Sequence, residues 1–169
     1  MIDYRKAVLL FWLVFFVWMP VFQAGFIWDD DTFLTQNPLI QSDKGIIQCW
    51  ISLDAPDYLP LTFTSLWIEW RLWENNASGY HITNVWIHLM TCIAIACVFH
   101  RLNWPGGWIA AMLYAVHPVN VESVAWITQR KNVLCFFFTL LTILTYIGVS
   151  QKNRNKVYFF LEFFLPAPC

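Results

Sequence analysis

The sequence predicts an all-α, polytopic membrane helical bundle, and three observations predict it. Apolar residues make up 59% of the 169 positions and charged residues only 12%, about half the charge a soluble domain carries. The apolar residues gather in runs long enough to cross about 30 Å of hydrocarbon. Eleven Trp and fifteen Phe suit lipid-facing and interfacial surfaces. The net charge of −1 offers nothing to a nucleic acid. The five Cys form no Cys-x-x-Cys pair, and Cys92, Cys97 and Cys135 lie inside apolar runs as small hydrophobes. They read as neither a disulfide framework nor a zinc site.

The first span is residues 7–26, behind Arg5 and Lys6. It is longer than the roughly 7–15 residues of a signal-peptide core and no small-x-small cleavage site closes it, so it reads as a retained helix. Trp18 and Trp28 suit an interface belt. Residues 27–79 form a long outer loop with Asp29, Asp30, Asp31, Asp43, Asp54, Asp57, Glu69 and Glu74 against Lys44 and Arg71 alone. Inside it, residues 59–73 are apolar but too short to span. Phe63, Leu66, Trp67, Trp70 and Trp73 share one helical face and Thr62, Ser65 and Glu69 another, which predicts an amphipathic helix lying in the interface. Asn76-Ala77-Ser78 is a formal glycosylation sequon.

The second span is 80–99, and Pro105-Gly106-Gly107 turns the chain. Residues 107–127 predict a third span broken near His117-Pro118. Irregular backbone at membrane depth is tolerated where it lines protein or a wet cavity. The fourth span is 133–149. Residues 157–165 start a partial fifth, nine residues that cannot cross. The chain therefore reads as one partial transmembrane module over 1–169, about four spans plus part of a fifth.

Placing the N-terminus inside puts Arg5, Lys6, Arg101, Lys152, Arg154 and Lys156 inside, six of ten basic residues, and nine of eleven acids outside. The basic bias fits a cytoplasmic N-terminus. Arg130 and Lys131 then sit side by side on the outer face. Interfacial snorkelling accounts for such a pair, and so does a bound anion.

The outer-face polar groups form one set. Asp29, Asp30 and Asp31 are consecutive, and like charges so close raise at least one pKa. His81, Asn84 and His88 recur on one face of the second span, lining a cavity or bonding between helices. His117 joins them as a cavity-lining candidate at the broken helix. Glu122 follows, where an acid also suits a helix N-terminus. Such a grouping suits transfer of a group from a phosphate leaving group. A carboxylate is the general base on a hydroxyl, and Arg130 and Lys131 neutralise the departing phosphate.

The motifs Phe26-Ile27-Trp28-Asp29-Asp30, Asn37-Pro38, Tyr80-His81-Ile82-Thr83-Asn84 with His88, and His117-Pro118-Val119-Asn120-Val121-Glu122-Ser123-Val124-Ala125 resemble the transmembrane-and-tetratricopeptide-repeat O-mannosyltransferases and their bacterial relatives, in order and spacing, over roughly residues 20–149. The resemblance implies a GT-C membrane glycosyltransferase that moves a sugar from a polyprenyl-phosphate carrier to the Ser/Thr hydroxyl of an acceptor protein, inverting the anomeric centre. It implies Asp29, Asp30 and Glu122 as catalytic residues; the charge reading adds Arg130 and Lys131 as the donor-phosphate site and a divalent cation, if any, at Asp29 and Asp30. Asp31 is an extra acid here, and Asn132 stands where animal members carry one. It further implies the inner membrane in a bacterium or the endoplasmic reticulum in a eukaryote. No 34-residue repeat is present, so the chain is expected to be the truncated N-terminal part of such an enzyme. Two rivals remain: a transporter or channel using the same polar groups, and a non-catalytic membrane interaction protein.

Overall fold

A computed structural model describes residues 3–51 and 57–152. The described chain is helical, with no strand. Its elements are α1 (Tyr4–Trp18), α2 (Pro38–Gln41), α3 (Gly45–Ile51), α4 (Pro60–Trp73), α5 (Ala77–Arg101), α6 (Gly107–Val116), α7 (Asn120–Ala125) and α8 (Arg130–Lys152). Short 3₁₀ turns extend α1 (Met19–Gln23) and precede α8 (Ile127–Gln129), and a π-helical turn covers Asp31–Thr35.

Asp3 starts α1 by accepting a hydrogen bond from the Arg5 amide at 3.1 Å, so the helix begins earlier than its apolar run. It tightens to 3₁₀ at Met19 because Pro20 has no N–H for the α-helical ladder. Tyr4–Gln23, Ala77–Arg101 and Ile127–Gln151 are the three described helices long and apolar enough to cross a membrane. The third predicted span, 107–127, is divided. Helix α6 has ten residues, about 15 Å at 1.5 Å per residue, and His117 is extended before Pro118. Freed polar groups at this break are re-paired: Asn120 Nδ2 donates to the Tyr114 carbonyl at 2.6 Å, and His117 Nδ1 accepts from the Val119 amide at 3.2 Å. The predicted partial fifth span lies outside the described residues.

Helix α5 is the axis of the bundle, packed by α1, α6 and α8. Asn84 meets the Trp126 carbonyl at one end and Gln151 meets the Arg101 carbonyl at the other, so α5 and α8 run parallel. Trp18 lies against His88 and Phe26 against Tyr80, so α1 runs opposite to α5. Leu10, Val14, Trp18, Val85, Leu89, Cys92, Ala111, Ala115, Val133 and Leu140 form the bundle core. Exposed Trp12, Phe16, Phe138 and Leu141 form the lipid-facing surface such a bundle needs.

The outer loop folds into a cap with its own core of Leu34, Ile40, Cys49, Phe63, Leu66, Tyr80 and Ile127. Helix α4 forms where the sequence predicts, but its setting differs from a helix lying in the interface. Its apolar Phe63 and Leu66 and its polar Thr62 and Glu69 are all buried. The polar face turns inward because a buried cation waits there. At the α4–α5 corner a Cβ on Gly79 would lie 2.4 Å from the Trp73 ring, so only glycine lets the two helices close this tightly.

Candidate active site

The chain leaves α1 through extended Ala24 and turns at Ile27–Asp30. The Asp30 amide donates to the Ile27 carbonyl at 3.1 Å, and the Ile27 amide donates back to Asp30 Oδ2 at 2.9 Å. The turn puts Trp28 in the left-handed region, φ +52°, which a bulky residue rarely adopts. Facing it is the 3₁₀ turn before α8. The Thr128 amide donates to Asp30 Oδ1 at 3.1 Å and the Thr128 hydroxyl donates to Asp29 Oδ1 at 3.0 Å. One residue thus holds both acids, and Trp126 meets Trp28 edge-on at 4.5 Å.

The two carboxylates are not equivalent. Asp30 is fully buried and spends both oxygens on amides. Burial pushes its carboxyl above the usual carboxylate value. The bonds from Ile27 and Thr128 oppose that rise, and the neighbouring Asp29 charge adds to it. Asp29 is half-buried, and its Oδ2 accepts no hydrogen bond from a described residue. Asp31 is exposed and bonds its own turn through Thr35 Oγ1 at 3.0 Å. Of the three consecutive acids, Asp29 alone combines a fixed position with an open oxygen.

Arg130 and Lys131 separate. Arg130 is completely enclosed. It donates through Nε to Asn84 Oδ1 at 2.6 Å, through Nη1 to Ser65 Oγ and Glu69 Oε2, and through Nη2 to the Tyr80 carbonyl. With Glu69 it forms a buried ion pair, so its guanidinium faces protein, where the sequence predicts an anion. Lys131 stays one-third exposed, 3.7 Å from Asp57. It lies on the wall of a crevice of about 480 Å³ that runs between Leu59–Thr62 and the α8 residues Leu134, Phe138 and Thr142.

His81, Asn84 and His88 share one face of α5, as predicted, and all three are fully buried. Asn84 ties α5 to α7, to the turn before α8 and to Arg130. His88 packs between Trp18 and Tyr114 and bonds the Ala115 carbonyl at 3.1 Å. The His81 nitrogens face the Ala24–Gly25 backbone without a well-formed bond. These side chains are sealed in helix packing. His117 is exposed and bonds its own turn through the Val119 amide, which sets it apart from the lining role the sequence predicts. Glu122 is exposed in the first turn of α7, and its carboxylate bonds no described residue.

As for a cation at Asp29 and Asp30, three of their four oxygens already accept hydrogen bonds. No group of three or more His, Cys, Asp or Glu gathers around a common point among the described residues. That donor set does not fit a metal held by the chain alone. Residues missed in the sequence are Thr128, Ser65 and Glu69. Glu69 left one signal, an acid among the aromatic residues of an apolar helix. Neutral Thr128 left none.

Comparison with known proteins extends the picture. A protein O-mannosyl-transferase of Caenorhabditis elegans is 25% identical over 170 residues, covering 89% of this chain and 24% of the relative. The protein O-mannosyl-transferase TMTC4 of Mus musculus is 26% identical, covering 80% and 22%. The protein O-mannosyl-transferase TMTC2 of Homo sapiens is 32% identical over 92 residues, covering 53% and 11%. The chain spans about a quarter or less of the length of these relatives. No family model and no solved structure matches it.

Proposed function

We propose that this chain, related in sequence to the protein O-mannosyl-transferases, carries the acceptor-activating part of a membrane glycosyltransferase site. The observation behind this reading is the pinning of Asp29 and Asp30 to Thr128, 99 and 98 residues away along the chain. It joins the outer-loop acids to the broken-helix segment in one place. In the proposed reaction, Asp29 Oδ2 takes the proton of an acceptor Ser/Thr hydroxyl. The hydroxyl oxygen attacks the anomeric carbon of a sugar on a polyprenyl phosphate. The bond from that carbon to the phosphate oxygen breaks, with inversion, and the carrier phosphate leaves as an anion. Lys131 neutralises it, and the crevice beside Lys131 receives the carrier chain.

Asp30 sets the turn that aims Asp29, and exposed Glu122 is assigned to the acceptor. Arg130 supports the site by fixing the turn that carries Thr128. The N-terminal end of α1 lies on the same side of the bundle as Arg101, and the basic bias supports assigning that side to the cytoplasm. The test is sugar transfer in membranes from a polyprenyl-phosphate mannose donor to a Ser/Thr peptide. Asp29→Asn is expected to lower the rate by 10²-fold or more, the usual order for a general base, and Asp31→Asn to leave it within about threefold, as for a surface change. Equal rates for Asp29→Asn and the unaltered chain sink the assignment.

A further inference from the structure

We infer that Trp28 and Trp126 form an aromatic wall that stacks a pyranose ring beside Asp29, so this corner binds sugar as well as activating the hydroxyl. Three observations carry it. Trp28 sits at φ +52°, where an indole is strained and glycine or asparagine is ordinary. The strain holds a large apolar ring 73% exposed to its surroundings, directly before the acid with the open oxygen. Trp126 packs edge-on against it at 4.5 Å, which stiffens the wall. The Nε1–H of Trp126 is buried and donates to nothing among the described residues, and a buried indole N–H ordinarily finds a partner.

The chemistry of the corner matches a hexose. One face of a pyranose is a patch of C–H bonds that packs on an aromatic ring, and its edge is a row of hydroxyls. Here an exposed indole face and an open carboxylate oxygen, with the unpartnered Trp126 N–H buried behind them, lie on two segments, 27–30 and 126–128, tied together through Thr128. Interfacial anchoring explains an exposed Trp. It does not explain the left-handed backbone, the stacked partner or the unused donor.

The inference takes its choice of mannose from the function proposed above, and its test separates the two. The full chain in lipid nanodiscs carries 5-fluorotryptophan, with the Trp28 and Trp126 signals assigned by single Phe variants. The probes are mannosyl-phosphoryl polyprenol, the bare polyprenyl phosphate and methyl mannopyranoside. The expected result is a ¹⁹F shift at both residues with the mannosyl carrier and none with the bare carrier. A shift with the methyl glycoside as well places a free sugar or acceptor glycan on the wall, and a shift with the mannosyl carrier but not the methyl glycoside places the donor there. Trp28→Gly suits the backbone, so its fold is retained. It is expected to weaken the sugar-bearing probe about tenfold, the scale of one ring stacked on an aromatic, and to leave bare-carrier binding unchanged. Equal weakening of both carriers, equal shifts with both, or no binding of any sugar overturns the inference. Trp28-dependent binding without transfer leaves the wall standing and removes the catalytic reading.

Discussion

Replacing Arg130 by Met tests the part of the fold on which the site rests. Arg130 is enclosed and donates to Asn84, Ser65, Glu69 and the Tyr80 carbonyl. It joins α4 and α5 to the turn that holds Thr128. Without it, Glu69 keeps a carboxylate that is only 7% exposed, and its Oε1 already has no partner among the described residues. Breaking a buried ion pair from one side costs about 3–5 kcal/mol, a large share of the roughly 5–15 kcal/mol that holds a domain folded. Glu69→Leu removes the other partner at a comparable cost. The double variant Arg130→Met/Glu69→Leu buries no lone charge, so its cost falls well below the sum of the two. The assay is thermal unfolding in detergent together with protease cleavage of α4 in membranes. A loss of about 3 kcal/mol raises the cleavable fraction by roughly 10²-fold when cleavage tracks the open population. Single losses below about 1 kcal/mol, the range of exposed pairs, or a double cost equal to the sum, refute the reasoning.

Three further outcomes follow from the same contacts. Thr128→Val removes the hydroxyl that bonds Asp29 while keeping the amide to Asp30, and is expected to cost about 1.5–3 kcal/mol as a hydrogen bond to a charged group. Thr128→Ser restores it, and transfer rate and melting temperature read both. Asp30 holds its proton above the ordinary carboxylate value of 3.8, because of burial. Its contribution to stability is therefore fully present below 3.8 and lost as pH rises through its folded pKa. Melting temperatures across that range should fall for the native chain and lose that component in Asp30→Asn. Gly45→Ala would set a Cβ 1.6 Å from the Leu39 carbonyl oxygen. Because that neighbour is backbone, α2 and α3 must part, and cleavage within residues 38–51 should increase sharply.

The bundle was legible because membrane helices announce themselves by length and apolarity, as 80–99 and 133–149 do. The break was legible because Pro118 cannot continue a helix. The ends were less so: Asp3 and Asn76 start α1 and α5 earlier than the apolar runs by accepting backbone bonds. The acidic cluster stood out through its like charges, yet its division into a held Asp30, an open Asp29 and a self-bonded Asp31 depends on the fold. The job of Arg130 was hidden because its partner Glu69 lies 61 residues away, and charge counting shows which face a cation is on but not what it touches. Trp28 read as an interface residue, since composition carries no trace of a backbone angle.

The shared site is tested most directly by cross-linking Asp29→Cys to Thr128→Cys in a chain whose own cysteines are replaced, in native membranes under mild oxidation. Their side chains meet at 3.0 Å, and a disulfide tests that closeness because it forms only across a short Cα–Cα span. Rapid, near-complete cross-linking, absent for an Asp31→Cys/Thr128→Cys control, is the predicted result. If the Asp29–Thr128 pair forms no more cross-link than that control, the outer-loop acids and the turn before α8 do not make one site.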